Sequence, residues 1–337
     1  MTAPRLAVVI PTLNEAEALP ALLADLQAQQ EVHLDIVVAD GGSVDATAQL
    51  GQAGGARIVR ASRGRARQLN AGAAASSAET LLFLHADSRL LDPRLLTNAW
   101  SALSAARARG GCVAGHFALR FGDGSARYAA LYGWMASKTR SNRPYSINGD
   151  QGLLIARRDF LALGCYDETL GVLEDQDLAR RIHQQGHWVS LPGELITSAR
   201  RFESEGAAER YTLMAVMMGL WAAGCREFFQ QAPQIYSAQA DTHRLDLRPF
   251  VTLVGRILRD QGWGAWGTLY RVGAFSRENA WQLFHYLDWR GHGDGRWLRR
   301  YDRWIAPLIA HPPGNALAAL LTAIWFLVWL PLRLRRA

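Results

Sequence analysis

"LLFLHADSRL", residues 81–90, is the stretch on which the reading of this chain turns. Four apolar residues, Leu81 to Leu84, give way to His85, Ala86 and Asp87. So short an apolar run reads as a fully buried strand. It is followed by an imidazole and a carboxylate instead of the Gly, Asn or Pro of a plain turn. The same arrangement recurs upstream: "LAVVI" (6–10) leads into "PTLNE", and "DIVVA" (35–39) into Asp40-Gly41-Gly42-Ser43. Two more β-rich runs, "ARIVRA" (56–61) and "CVAGHFAL" (112–119), alternate with helical patterns near 17–29, 45–53, 65–77 and 93–109. Strand and helix in alternation predict right-handed crossovers and a mostly parallel α/β sheet. Ligands of such sheets bind at the carboxyl ends of the strands. Asp40 and Asp87 are therefore expected on one binding edge.

Composition narrows the partners. The net charge of +7 comes almost wholly from arginine, Lys138 being the single lysine of 337 residues. The arginines are scattered and no aromatic–basic module accompanies them, which argues against nucleic acid. An anionic small molecule or an anionic membrane surface fits better. Cys112, Cys165 and Cys225 have no close spacing, so neither a metal knuckle nor a disulfide framework is implied, and a reducing cytoplasm suits them. "MTAPRLAVVIPTLNE" lacks an h-region with a cleavage site, so the first part of the chain is expected in the cytoplasm.

Farther on the pattern loosens. "EDQDLARRIHQQG" (174–186) predicts a helix with Gly186 past its end. "YTLMAVMMGLWAAG" (211–224) holds three of the five methionines. It reads either as a buried helix or as an adaptable groove or membrane-facing surface. Composition shifts after about residue 225, and eight of the 12 tryptophans lie beyond 260. The last apolar run, "ALAALLTAIWFLVWLPL" (316–332), is 17 residues long, or about 25 Å of helix against a ~30 Å hydrocarbon layer. Arg296, Arg299, Arg300 and Arg303 precede it and Arg333, Arg335 and Arg336 come after, so charge assigns no orientation. With the tryptophans and the break at "HPPGN" (311–315), this predicts a monotopic or re-entrant anchor on the cytoplasmic face. A single span and a soluble packing helix are the alternatives.

The edge residues suit a nucleotide diphosphate sugar. Asp40 could accept the imide N–H of a base. Asp87 could hold a divalent cation, which takes oxygen ligands and acts as a Lewis acid on a leaving diphosphate. Taken singly, either Asp is also an ordinary turn residue.

As an ordered set, "VVIPTLNEAEALPALLADL", "DIVVADGGSVDAT", "GRARQLNAG", "LLFLHADS", "GDQGLLIARRDFLALG" and "VLEDQDLARRI" resemble the family-2 glycosyltransferases of the GT-A fold over roughly residues 5–225. The habits "GRARQ", "LHAD", "GDQG" and "SARR" are most similar to a bacterial branch described as arsenosugar-biosynthesis glycosyltransferases. The resemblance implies a GT-A, Rossmann-like sheet with flanking helices in residues 1–225, and composition adds a helical, Trp-rich, membrane-associated region in 226–337. That tail lies outside the resemblance, and its reading rests on composition alone; within 5–225 the resemblance implies that Pro11, Thr12, Asn14 and Glu15 form the donor-binding turn and that Asp40 contacts uracil. The family commonly has a second Asp where this chain has Gly41. Arg65, Arg67 and Asn70 would line the nucleotide diphosphate.

In the same resemblance His85-Ala86-Asp87 stands for the family's D-x-D motif. Asp87 would be the metal ligand, while His85 would contact ribose or phosphate, coordinate, or cap the strand. Asp175 matches the catalytic base, which an inverting transfer needs on the acceptor side of the sugar. Its place in a helix's first turn is equally what the helix dipole favours, and Asp177 could hold Asp175 or an arginine in place. Gly149, Asp150 and Gln151 of "INGDQG" would let backbone approach sugar hydroxyls, or form a plain Asx turn. Arg201, beside Arg200 and before Phe202, suits phosphate or acceptor binding through its planar fork, although the full motif of processive relatives is absent. The expected activity is transfer from a UDP-sugar, dependent on Mg²⁺ or Mn²⁺, to a lipid phosphate on the cytoplasmic side of the inner membrane. The alternatives are a small soluble acceptor of the arsenosugar type and a non-catalytic nucleotide-sugar-binding scaffold.

Overall fold

Leu6 to Ile10 is apolar at every position, and the strand it forms, β1 (Arg5–Thr12), is buried on both faces. Side chains alternate across a strand. Leu6, Val8 and Ile10 therefore enter one core and Ala7 and Val9 another. β1 is an interior strand, third from one edge, of a seven-stranded sheet in a computed structural model that describes residues 3–237, 239 and 244–336. The other strands are β2 (His33–Asp40), β3 (Arg57–Arg60), β4 (Thr80–Phe83), β5 (Cys112–Phe121), β6 (Leu153–Ala156) and β7 (Gly186–Thr197). They lie in the order β3-β2-β1-β4-β6-β5-β7. Only β6 runs against its neighbours, β4 and β5.

Helices α1 (Leu19–Gln27), α2 (Thr47–Ala53), α3 (Arg65–Ala75), α4 (Leu95–Arg107), α5 (Ala129–Lys138), α6 (Arg157–Ala162) and α7 (Glu174–Gln185) complete this unit, which ends at Ser198. Leu19, Leu22, Leu96 and Leu103 of α1 and α4 close one core. Leu69, Phe160 and Ile182 of α3, α6 and α7 close the other. Fully burying each such side chain contributes about 1.5–3 kcal/mol. Gly72 lets α3 lie close on β1, because a Cβ there would sit 2.4 Å from Val9 Cγ1.

The second unit, Ala199–Ala337, has only helices as its described regular elements. It comprises α8 (Arg200–Glu205), α9 (Ala207–Ala222), α10 (Arg226–Ser237), α11 (Arg248–Asp260), α12 (Gly264–Glu278), α13 (Trp281–Arg290), α14 (Arg296–Arg300), α15 (Ala306–Ile309), α16 (Pro312–Ile324) and α17 (Leu330–Arg336). The units meet at Ser198/Ala199, ahead of the composition shift near 225, for a packing reason. Leu213 and Leu220 of α9 share one core with Phe228, Phe250 and Phe326, so the methionine-rich stretch belongs with the C-terminal helices.

A π-helical turn, Trp325–Trp329, joins α16 to α17, so the C-terminal helix continues from Pro312 to Leu334, 23 residues or about 35 Å. It starts before the apolar run because two prolines fit a first turn and His311 Nδ1 accepts the Gly314 N–H at 3.0 Å. Its length and mean hydropathy of 1.9 would let it cross a membrane, and 11% of its apolar window is buried. It meets α12 along a seam of small residues. A Cβ on Gly273 would lie 2.4 Å from the Ala319 backbone, and Thr322 Oγ1 donates to Ser276 Oγ at 3.1 Å.

Candidate active site

Three strand ends of the first unit converge at one edge of the sheet. Thr12 and Asp40 are register partners at the ends of β1 and β2, and the turn after β4 carries His85 and Asp87. The strand order turns back on either side of β1, the kind of switch point that opens a ligand crevice.

The turns after β1 and β2 are stitched together. Asn14, in the left-handed region at φ 57°, accepts the Val44 N–H at 2.9 Å, and its own N–H donates to Ser43 Oγ at 2.9 Å. The Glu15 N–H donates to Thr47 Oγ1 at 2.8 Å. Pro11 pairs with Ala39 one step inside the edge. Asp40 is buried and accepts four hydrogen bonds, from Thr12 Oγ1, the Gly42 and Ser43 N–H groups and Ser43 Oγ.

The second group is acidic. Asp175 sits in the first turn of α7, entered through Leu173 in the left-handed region at φ 63°. Its Oδ2 accepts the Gly149 N–H at 2.7 Å and its Oδ1 the Gln176 N–H at 2.8 Å. The chain passes so close here that a Cβ on Gly149 would lie 3.0 Å from His85 Nε2 and 3.3 Å from Asp175 Oδ2. Next in sequence, Asp150 has its Oδ1 sealed from solvent without a hydrogen-bond partner. Burial first, then the charges of Asp175 and Asp87, push its carboxyl up to about 7. Asp87, Asp150 and Asp175 thus form one electrostatic cluster.

Among the described residues no three His, Cys, Asp or Glu side chains converge as a metal cluster. A divalent cation held through Asp87 would take most of its ligands from phosphate and water, as Mg²⁺ commonly does. The orphaned Asp150 oxygen and the excess negative charge fit a cation there.

The remaining expected residues divide by what holds them. Arg65, at the start of α3, is exposed, and its Nη1 lies 3.6 Å from Oε1 of the buried Glu174. Its charge reaches Asp150. Arg67 is exposed and donates to the Arg63 carbonyl at 3.1 Å. The amide of Asn70 is committed elsewhere, donating to Tyr166 O and Glu168 Oε1 at 2.9 Å each while its Oδ1 accepts the Tyr166 N–H. Gln151 is fully buried and donates to Ser146 O at 2.7 Å, shaping its loop from inside. Asp177 pairs with Arg180 and Arg181, not with Asp175. Arg201 is exposed on α8, in the second unit.

Residues 7–154 match the model of glycosyl transferase family 2, less than half of the chain. Residues 7–154 of the first unit are thus similar to a family 2 glycosyl transferase domain. No curated protein matches the chain. Among solved structures, S. aureus TarS 1–349 in complex with UDP-GlcNAc is 13% identical, with 89% of this chain and 92% of that one covered at a TM-score of 0.48. The mannosyltransferase PcManGT from Pyrobaculum calidifontis, in complex with GDP-Man and Mn²⁺, is 16% identical, with 96% and 87% covered at 0.47. In a longer TarS structure the chain spans 54% of the relative, at 13% identity, 85% coverage of this chain and 0.46. The first unit has a mixed, mostly parallel seven-stranded sheet.

Two site residues of this domain escaped the reading of the sequence. Gln176 is buried and donates to Ile147 O at 2.7 Å and Asn148 Oδ1 at 3.0 Å, tying α7 to the loop that carries Gly149. Gln68 is buried on α3, where its Nε2 donates to Thr12 O at 2.7 Å and Ala39 O at 2.9 Å. The one signal for Gln68 was its place a turn after Arg65, on the same side of a helix.

Proposed function

We propose that the enzyme transfers a sugar, with inversion, from a UDP-sugar to a lipid phosphate in a cation-dependent reaction. One observation carries the reading. Asp175, oriented by the Gly149 N–H, shares its field with Asp87 and Asp150 at the strand edge. In an inverting transfer the acceptor oxygen bonds to the anomeric carbon as the bond to the diphosphate breaks on the opposite face. Asp175 takes the acceptor proton in that step. Arg65 neutralises the diphosphate through its planar fork, steadied from behind by Glu174. A Mg²⁺ or Mn²⁺ ion held through Asp87 would add Lewis-acid stabilisation of the leaving group. His85 and Asp150 border the sugar, while Asn70 and Gln151 act by holding loops.

The enzyme is assigned to the cytoplasmic side of the inner membrane, anchored by its second unit. Of the exposed large apolar side chains among the described residues, only Val44, Leu50, Leu91 and Leu161 precede Trp263. Trp263 itself is 91% exposed, and so concentrated an apolar surface marks an interaction site. Guanidinium groups lie over the rings of Trp297, Trp304 and Trp329, which suits a headgroup boundary. That distribution favours a lipid acceptor over a small soluble one of the arsenosugar type.

Thermal unfolding with UDP or GDP, each with and without Mn²⁺, tests the donor site. A ligand at 100 times its Kd adds about 2.7 kcal/mol. The expected shift needs UDP and cation together and vanishes in Asp87→Ala. Asp175→Asn should keep the shift and lose transfer to polyprenyl phosphate in liposomes. No shift with either nucleotide would refute the reading and the nucleotide-sugar-binding scaffold alike, and full turnover by Asp175→Asn would remove the base.

A further inference from the structure

The Asp40 carboxylate is saturated. Its four hydrogen bonds, all from its own turn and Thr12, occupy the roughly four lone-pair sites a carboxylate has. Any nucleoside N–H or O–H arriving at the ends of β1 and β2 needs another acceptor, and Gln68 supplies one. Its side chain is buried, with 5% exposure, yet it reaches the same edge. Two backbone carbonyls, Thr12 O and Ala39 O, both receive its Nε2. Carbonyls can only accept, so the amide cannot be turned over, and Oε1 points away from both. Oε1 accepts no hydrogen bond from the described residues.

The Gly41 backbone packs directly against this amide. A Cβ at position 41 would lie 2.9 Å from Gln68 Cδ and 3.0 Å from Oε1. Only a glycine at 41 thus lets the Gln68 amide lie at the strand edge next to Asp40. We propose that Gln68 Oε1 is a nucleoside-recognising acceptor of the donor site, taking a hydrogen bond from a ribose hydroxyl or from the ring N–H of the base. The inference rests on the transferase reading and adds a specificity-determining residue to it.

The test uses the full chain and calorimetric titration in Mn²⁺ with UDP, 2′-deoxy-UDP, 3′-deoxy-UDP and N3-methyl-UDP, and with GDP as a check on the donor site. The wild type should bind one of the three analogues about fivefold more weakly than UDP, the loss expected for one hydrogen bond. In Gln68→Met, which keeps the bulk and removes the acceptor, UDP should weaken by a similar factor and that analogue should bind as UDP does. The analogue that loses its penalty identifies the ribose or the base as the source of the donor. A merely structural role would weaken all four ligands alike and preserve the ratio. Gly41→Ala, which pushes a methyl into the amide, should also erase the ratio and guards against misfolding of the first variant. Wild type that discriminates against none of the analogues, or Gln68→Met that keeps the discrimination, overturns the proposal. Wild type that binds neither UDP nor GDP overturns the transferase reading, and this inference with it.

Discussion

Replacing Asp150 by Asn should make the protein more stable, and more so as the pH rises. The carboxyl ionises near 3.8 in the unfolded chain and at about 7 in the folded one, because burial and the charges of Asp175 and Asp87 oppose its charge. A raised carboxyl binds its proton more tightly in the folded state. Between about pH 4 and 7 the folded protein therefore holds a proton that the unfolded chain has lost, and stability falls as pH rises. Above 7 both states are ionised and the loss is complete. Each pH unit inside the window is worth 1.36 kcal/mol, so from pH 5 to pH 8 the wild type should lose roughly 3 kcal/mol that Asp150→Asn keeps. The sealed Oδ1 leaves little room for solvent to screen that penalty. The assay is urea unfolding at pH 5, 6, 7 and 8 in chelator, followed by hydrogen exchange in β6. The two stability curves should diverge upward through pH 7 and then run parallel. Curves parallel throughout would refute the argument, since a carboxyl with an ordinary pKa has finished titrating before pH 5. Adding UDP with Mn²⁺ should close the gap by stabilising the ionised form, and Asp150→Asn should lose that response.

Gly72→Ala sets a methyl 2.4 Å from Val9 Cγ1 between α3 and β1. It should cost about 1–3 kcal/mol by overpacking, and an unchanged urea midpoint would contradict the close approach. Gly273→Leu drives a side chain against the Ala319 backbone, so α16 should leave α12 and residues 312–324 should exchange amide hydrogens faster. Gly255→Ala, where a Cβ meets nothing within 4 Å, is the control and should be neutral or slightly stabilising. Lys138, over the Trp134 ring at 4.1 Å, is lowered to about 8 by burial. As the single lysine it should be acylated with a pH midpoint near 8 in peptide maps, whereas a rate still climbing above pH 9.5 would deny the burial.

The legible part of the sequence was whatever repeats at short range. The apolar residues 6–10 and 35–39 announced strands buried on both faces, and strand ends carrying Asp40, His85 and Asp87 announced an edge. The helix over 174–185 was legible because a helix start is a local pattern, whereas Asp175 stood out within it only through the resemblance. The illegible parts are contacts made across long separations by groups whose partners are backbone. Asn70 reads as a phosphate contact, but its amide is taken by Tyr166, 96 residues on. Gln68 reads as an unremarked polar residue in "GRARQLN", because nothing in a heptapeptide says that two carbonyls 56 and 29 residues away will turn its amide. The left-handed Leu173 that starts the base helix carries no Gly or Asn to give it away.

Gly41 joins the two kinds of information. Read alone, it is a missing carboxylate beside Asp40 and suggests a weakened donor site. Set against Gln68, it is the residue whose missing Cβ gives that amide room, so what looks like a lost acceptor at one position is an acceptor brought in from α3. An acidic residue at 41 and a glutamine at 68 would compete for one space. Gly41→Asp alone should therefore weaken UDP binding by displacing the amide, and Gly41→Asp with Gln68→Ala should recover it. Equal binding by the single and double variants would show that the two positions do not compete.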